Sequence, residues 1–172
     1  MAIIKASASH SNIKNVINYV SKKEKTEYKF LSGYNCSPDT AAVEMQLVKE
    51  LYSKTSGRSY KHFIQSFVPG EVTPETAHRI ANEFTEGCSV FSGYQVLIAT
   101  HIDKEHIHTH FILNSVSCDS GYKFQMTPKD LQAMKYMRRM DAEAKLIAQD
   151  NKDKTKEQQL VPRVSLHKLL IR

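Results

Sequence analysis

Ten residues, "HIDKEHIHTH" at 101–110, hold four of the chain's eight histidines. Imidazole carries protons near neutral pH and is the commonest side-chain ligand for divalent transition metals. On strand geometry, alternate residues share a face. His106, His108 and His110 would therefore run in phase, with Ile107, Thr109 and Phe111 facing the other way. His101 ends the preceding apolar run, and it reaches the same point if the two segments pair as adjacent antiparallel strands. Three imidazoles leave positions open for water or an oxygen-bearing substrate, as a catalytic metal requires. Asp103 is suited to orienting a ligating imidazole through its other nitrogen. His106 stays open between a fourth ligand, a substrate contact and a turn residue. A metal-free acid–base or phosphate-binding cluster and a chance concentration of strand histidines are the competing accounts. No glutamate lies between the histidines in an HExxH pattern, so a thermolysin-like hydrolase has little support. The metal itself stays open among divalent ions.

The elements that must hold these residues can be read outward from them. "GYQVLIAT" at 93–100 and "HTHFILNSV" at 108–116 are strands, paired antiparallel with "IDKEH" at the turn. "YKHFIQSFV" at 60–68 is a third strand and "AIIKA" at 2–6 a fourth. A helix carries Ile13, Val16, Ile17 and Val20 at helical spacing, with Ser9 or Ser11 as its cap. "KKEKTEYKF" breaks that pattern, and "SGYNCSPD" reads as a loop. Ser37–Pro38 predicts a cap and first-turn proline for a helix to about Leu51, and Thr73–Pro74 repeats the signal. "SKTSGRS" is a loop. Thr127, Pro128 and Asp130 open the clearest helix, expected to run to about Ala148. The layout predicted from these pieces is α+β, a single antiparallel sheet covered largely on one face.

With 172 residues, the chain has room for one domain with a real core. Its 41% hydrophobic content argues against general disorder. The N-terminal apolar patch is too short for a signal peptide or a membrane span, so no membrane insertion and a cytoplasmic location are expected. Cys36, Cys88 and Cys118 show neither metal spacing nor a disulfide framework, which fits a reducing compartment. Net charge is +6, a mild pointer to a polyanionic partner. From Asp150 onward six Lys/Arg face three Asp/Glu, so residues 149–172 form a basic extension, or the start of a further region, beyond a domain at 1–148.

"HIDKEHIHTHFILNSV" resembles the three-histidine motif HxDxxHxHxHxxxN of the relaxase/mobilization nucleases, conjugative enzymes of the HUH endonuclease group. The resemblance extends through "INYV" at 17–20, "YNCSPDTAAVE" at 34–44 and "HFIQSFVPGEVTPETAH" at 62–78. It implies a five-stranded antiparallel palm with helices on its faces. It also implies cleavage and rejoining of single-stranded DNA at a transfer origin, through a 5′-phosphotyrosyl link that releases a 3′-hydroxyl. The nucleophile position matches Tyr19. The three metal ligands match His101, His108 and His110, the acidic helper matches Asp103, and a site-adjacent polar position matches Asn114. The ion would be Mg2+ or Mn2+. Accessory origin-binding proteins, a secretion apparatus and a hairpin beside the nick site are the further partners implied.

Tyr19 lies roughly 110° from the centre of its helix's apolar stripe and so can project from the helix edge toward a groove. A free phenol, with a pKa of about 10, needs local help to attack at neutral pH. Tyr28, Tyr34 and Tyr60 are rivals for the role. Lys14, Lys22, Lys23 and Lys25 surround Tyr19 in sequence and can hold backbone phosphates, with Tyr28, Phe30 or Tyr34 stacking a base. Arg58 and Lys61 could extend the same groove, as could Arg138 and Arg139. Two other functions remain open at this stage. One is a catalytically inactive origin-binding module; the other is a histidine-site metallohydrolase acting on a different phosphoester.

Overall fold

The computed structural model describes residues 3–130 together with 132 and 134. Eight principal elements occur in the order β1 (Ile3–Ser9), α1 (Ile13–Val20), β2 (Leu31–Tyr34), α2 (Ala41–Leu51), β3 (Tyr60–Ser66), α3 (Pro74–Gly87), β4 (Val96–His101) and β5 (His108–Asn114). Every strand pairing is antiparallel, and the sheet order is β1-β3-β5-β4-β2. The predicted α+β class with a five-stranded antiparallel sheet is what forms.

The expectation of a sheet covered largely on one face is overturned. Because side chains alternate along a strand, each face gathers its own apolar set. One face takes Tyr60, Leu97, Ala99 and Ile112 and packs with Ile13, Ile17 and Val20 of α1 and Ala41 and Met45 of α2. The other takes Phe63, Val96, Ile98, Phe111 and Leu113 and packs with Ala81 and Phe84 of α3 and with Phe91 and Phe124. On this second face aromatic rings meet edge to face, Phe84 against Phe91 at 5.1 Å and against Phe111 at 5.2 Å between centroids. Such pairs add to what area burial alone provides.

Several local signals resolve differently from the sequence expectation. β1 continues to Ser9, so the cap of α1 moves on to Asn12, whose side-chain oxygen accepts the Lys14 amide at 2.8 Å. α2 starts at Ala41 behind Thr40, because residues 38–40 form a turn. There Glu44 closes the helix start, accepting from the Ser37 amide at 3.1 Å and from the Thr40 hydroxyl. β2 falls where breaker and loop signals were read. It is a four-residue edge strand in which no residue is fully buried. Gly33 in its middle is required by close approach, since a Cβ there would meet the Cys36 carbonyl oxygen at 2.1 Å. Thr73 caps α3 as predicted, accepting from the Thr76 amide at 3.2 Å. Residues 128–130 are helical, and the Asp130 amide donates to the Thr127 hydroxyl at 3.3 Å. The continuation of that helix to Ala148, Arg138 and Arg139, and the boundary at 148 lie outside the described residues.

Candidate metal centre and tyrosine edge

β4 and β5 form a hairpin whose last register pair is His101 with His108. His101, His108 and His110 project from the face that α1 covers, at the hairpin's loop end. Their ring centroids lie 5.0 Å apart for His101–His108 and His108–His110, and 4.2 Å for His101–His110. One ligand atom from each lies within 4.8 Å of the other two, and all three residues are buried.

Each imidazole has one nitrogen held from outside this group. His101 Nε2–H donates to the Val20 carbonyl at 2.8 Å, satisfying one of the acceptors that a helix leaves free at its C-terminus. His108 Nδ1–H donates to the His106 carbonyl at 3.3 Å. His110 Nδ1 is 2.7 Å from Nε2 of His62, a residue of the neighbouring strand β3. What is left for the interior is Nδ1 of His101 and Nε2 of the other two. His110 Nε2 is buried with no hydrogen-bond partner. An orphaned imidazole nitrogen is costly unless something electron-poor meets it. Three inward lone pairs fit a divalent ion, with outer partners fixing each ring's orientation as in protein metal sites generally.

Burial keeps these rings uncharged. Desolvation lowers the pKa of His101 and of His108. In His110, desolvation and then the neighbouring imidazoles bring it down to about 2, and similar causes bring His62 to about 4. Neutral imidazole is the ligating form.

His62 escaped sequence reasoning because it lies forty residues from the motif and reads as an ordinary strand histidine. Its one signal was the shared face of His62, Ile64 and Ser66. His106 lies in the loop before β5, in the turn that the hairpin reading gave to "IDKEH", and does not continue the strand alternation of His108 and His110. Its ring stands 5.3 Å from that of His108, and its carbonyl takes the His108 proton.

Asp103 occupies a different place from the one predicted. Its carboxylate is 3.1 Å from Lys25 Nζ, and the orienting contacts to the three imidazoles come from Val20, His106 and His62. Desolvation pushes the Asp103 pKa up, but the Lys25 hydrogen bond and charge, with His101, bring the net value below normal. Tyr19 is 49% exposed on α1, off the buried stripe as its helical phase predicts, and Lys25 Nζ stands 4.9 Å from its ring centroid. Its rivals are differently engaged. Tyr60 is buried and bonds Ser11 at 3.1 Å, Tyr34 packs against the aromatic core, and Tyr28 donates to Asp39 at 2.9 Å. Phe30 is buried, which removes it as a stacking platform, whereas Tyr28 is exposed.

Asn114, Arg58 and Lys61 are not brought to the histidines. Asn114 ends β5 six residues beyond His108, roughly 20 Å along a strand. There its amide donates to the Met45 carbonyl and to Gln95, both at 3.0 Å. Arg58 lies at that same end and donates to the Phe124 carbonyl at 2.6 Å. Lys61 pairs with Leu113 and shares the sheet face of Phe63, opposite the triad. Lys22 and Lys23 are exposed just beyond the end of α1, whereas Lys14 is exposed in its first turn. The three cysteines are free, and no helix among the described residues is long and apolar enough to cross a membrane.

Comparison with known proteins agrees with this architecture. Residues 16–146 match the family described as Relaxase: MobA/VirD2-like, nuclease domain. The chain is 37% identical over 119 residues to a "Protein rlx" of Staphylococcus aureus, covering 69% of this chain and 36% of that protein. It is also 37% identical over 106 residues to the "Group II intron-interrupted relaxase LtrB" of Lactococcus lactis subsp. cremoris (strain MG1363), covering 58% and 18%. The chain thus spans about a third or less of the length of these relatives. A solved structure from work on the "Molecular Basis of Vancomycin Resistance Transfer in Staphylococcus aureus" shares the fold. Its TM-score is 0.56 at 14% identity, over 82% of this chain and 90% of that one. With more than half of its length matched to that one family, the chain belongs to the MobA/VirD2-like relaxases as a nuclease domain.

Proposed function

We propose that this domain cuts and rejoins one strand of DNA at a transfer origin, with Tyr19 as nucleophile. The observation that supports the reading is the hydrogen bond from His101 to the Val20 carbonyl, which ties the C-terminal end of α1, the helix that carries Tyr19, to the strand of the histidine triad. In cleavage the Tyr19 oxygen forms a bond to phosphorus while the bond to the 3′ oxygen breaks. The 5′ end stays on the protein, and the 3′ oxygen takes up a proton and leaves as a hydroxyl. Rejoining is the reverse, with the 3′-hydroxyl attacking the phosphotyrosine. The phenol proton must depart during attack, to water or by way of water to Asp103, the carboxylate that shares Lys25 with the Tyr19 ring.

His101, His108 and His110 would hold a divalent ion. Bound there, such an ion polarises a phosphate oxygen and offsets negative charge developing on it. Of Mg2+ and Mn2+, Mn2+ suits an all-imidazole donor set better, because Mg2+ prefers oxygen ligands. Lys22 and Lys23, just after the tyrosine's helix, and Lys14 in its first turn suit backbone phosphates, while exposed Tyr28 offers a ring for base stacking. Three free thiols fit a reducing compartment such as the cytoplasm. Accessory origin-binding proteins and a secretion apparatus would engage regions that the longer relatives carry.

The test is incubation with end-labelled single-stranded origin DNA and Mn2+. The expected product is a covalent protein–DNA adduct, lost in Tyr19→Phe and lost in chelator. An adduct that persists in Tyr19→Phe removes the nucleophile assignment. Strand binding without an adduct would favour the inactive origin-binding module, and cleavage without a covalent link the metallohydrolase.

A further inference from the structure

Four lysines surround Tyr19 in sequence, and the fold separates one from the rest. Lys14, Lys22 and Lys23 are exposed, and Lys22 pairs with its exposed neighbour Glu24 at 3.3 Å. Lys25 turns inward, with only 17% of its side chain exposed.

Its backbone explains why. The Lys25 and Thr26 amides fold back onto the Lys22 carbonyl at 2.9 and 3.2 Å, forming a turn directly after α1. The Lys25 carbonyl then accepts the Ile102 amide at 2.8 Å, and the buried Thr26 hydroxyl donates to the Thr100 carbonyl at 2.7 Å. The turn is therefore fastened to the strand that carries His101, on both sides of that residue. From this anchored position Nζ lies 3.1 Å from Asp103 and 4.9 Å from the centre of the Tyr19 ring. Tyr19 is otherwise half exposed, and a half-exposed tyrosine at a helix edge samples several rotamers unless something selects one. An ammonium over the ring face is attracted by the ring quadrupole. A second anchor, the carboxylate two residues beyond His101, fixes the ammonium.

We propose that Lys25 is the positioning residue for the nucleophile: pinned by Asp103 and by the β4 backbone, it holds the Tyr19 ring at the histidine triad. This rests on Tyr19 being the nucleophile. Lys25 acts on where the ring stands, whereas the exposed lysines act on how tightly the strand binds. Misplacement of a reacting group by about 1 Å costs on the order of 100-fold in rate. Lys25→Met should therefore slow single-turnover adduct formation about 100-fold at saturating strand. The strand concentration giving half-saturation should stay near its original value, and Mn2+ affinity should be unchanged. Lys25→Arg, which keeps a cation, should recover part of the rate, while Lys23→Met should alter strand affinity alone.

A second measurement does not need cleavage. In protein labelled with 3-fluorotyrosine, the Tyr19 fluorine signal is identified by its loss in Tyr19→Phe. It should shift in Lys25→Met while the other tyrosine signals stay in place, which also shows that the variant folds. A Tyr19 signal unmoved in Lys25→Met overturns the proposal, and so does a rate loss that saturating strand abolishes. If the unmodified protein forms no adduct, the nucleophile assignment fails separately, and the fluorine signal still decides the role of Lys25.

Discussion

The two faces of β5 carry opposite chemistry. Toward α3 the strand presents Thr109, Phe111 and Leu113, with Phe111 among the rings of Phe63, Phe84 and Phe91. Toward α1 it presents His108, His110 and Ile112, so the same seven residues carry imidazoles on one side and apolar packing on the other. Burying a phenyl group stabilises the fold by about 1.5–3 kcal/mol relative to leaving it exposed. Burying an imidazole with an unpartnered nitrogen works against folding. Each face thus makes the other workable. The aromatic side supplies the stability and stiffness, and the imidazole side uses them to keep three lone pairs aimed at one point.

The sharpest way to break this comparison is to remove one side chain from each face. Phe111→Ala should destabilise the domain by about 3–5 kcal/mol, seen as a lower thermal midpoint without added metal. His110→Ala should leave the metal-free midpoint nearly unchanged or raise it, while abolishing the gain in midpoint that Mn2+ brings. If His110→Ala costs as much stability as Phe111→Ala, the histidine face is structural core and the division of labour fails.

Acid should act most on the histidine face, with a smaller share from His78 of α3, whose pKa burial also lowers. A histidine in the unfolded chain titrates near pH 6.5, whereas burial brings His62 to about 4 and His110 to about 2. Below pH 6.5 the unfolded chain therefore binds protons that the folded domain refuses. Their neutrality costs the folded domain nothing above pH 6.5 and becomes a growing penalty, seen as a decline in stability, as pH falls toward 4. The slope is at most about 1.4 kcal/mol per pH unit for each histidine. Urea midpoints of the metal-free protein between pH 7.5 and 5 should show this decline, and His110→Ala should flatten it. An equally steep decline in that variant would place the proton uptake elsewhere.

How much of this was legible from sequence follows the same division. The triad was readable because a hairpin forces His101 beside His108, and strand alternation adds His110. Phe63 and Phe111 could be placed on a common face by the same alternation. Tyr19's exposure followed from helical phase. What stayed hidden came from contacts distant in sequence. β2 has too few residues to show a period and earns its place by pairing with β4. Asp103 was read as orienting an imidazole, and the turn at 22–26, fastened to β4, is what brings Lys25 to it. His106 was left open among three roles, and the six-residue loop between β4 and β5 settles its place as the turn residue, just ahead of the strand phase that His108 begins. The element reading missed the second covered face, which the family resemblance implied, because it inferred a one-sided sheet from few strands, whereas α1 and α2 return to one side and α3 to the other.

His62 offers the finest test of the comparison, because it stands on the histidine face without belonging to the triad. Its Nε2 lies 2.7 Å from His110 Nδ1, with the rings 5.0 Å apart. If it acts as an acceptor, it keeps the His110 proton on Nδ1 and leaves Nε2 as the inward lone pair. Replacing a partner of this kind typically lowers metal affinity by about 10–100-fold. His62→Phe fills most of the volume but accepts no proton, so it should weaken Mn2+ binding by that amount in calorimetry. His62→Gln, whose side-chain oxygen can accept, should lose less. Equal affinities in the two variants would mean that His62 serves packing alone, and that the imidazole face is organised by Val20 and His106 without help from β3.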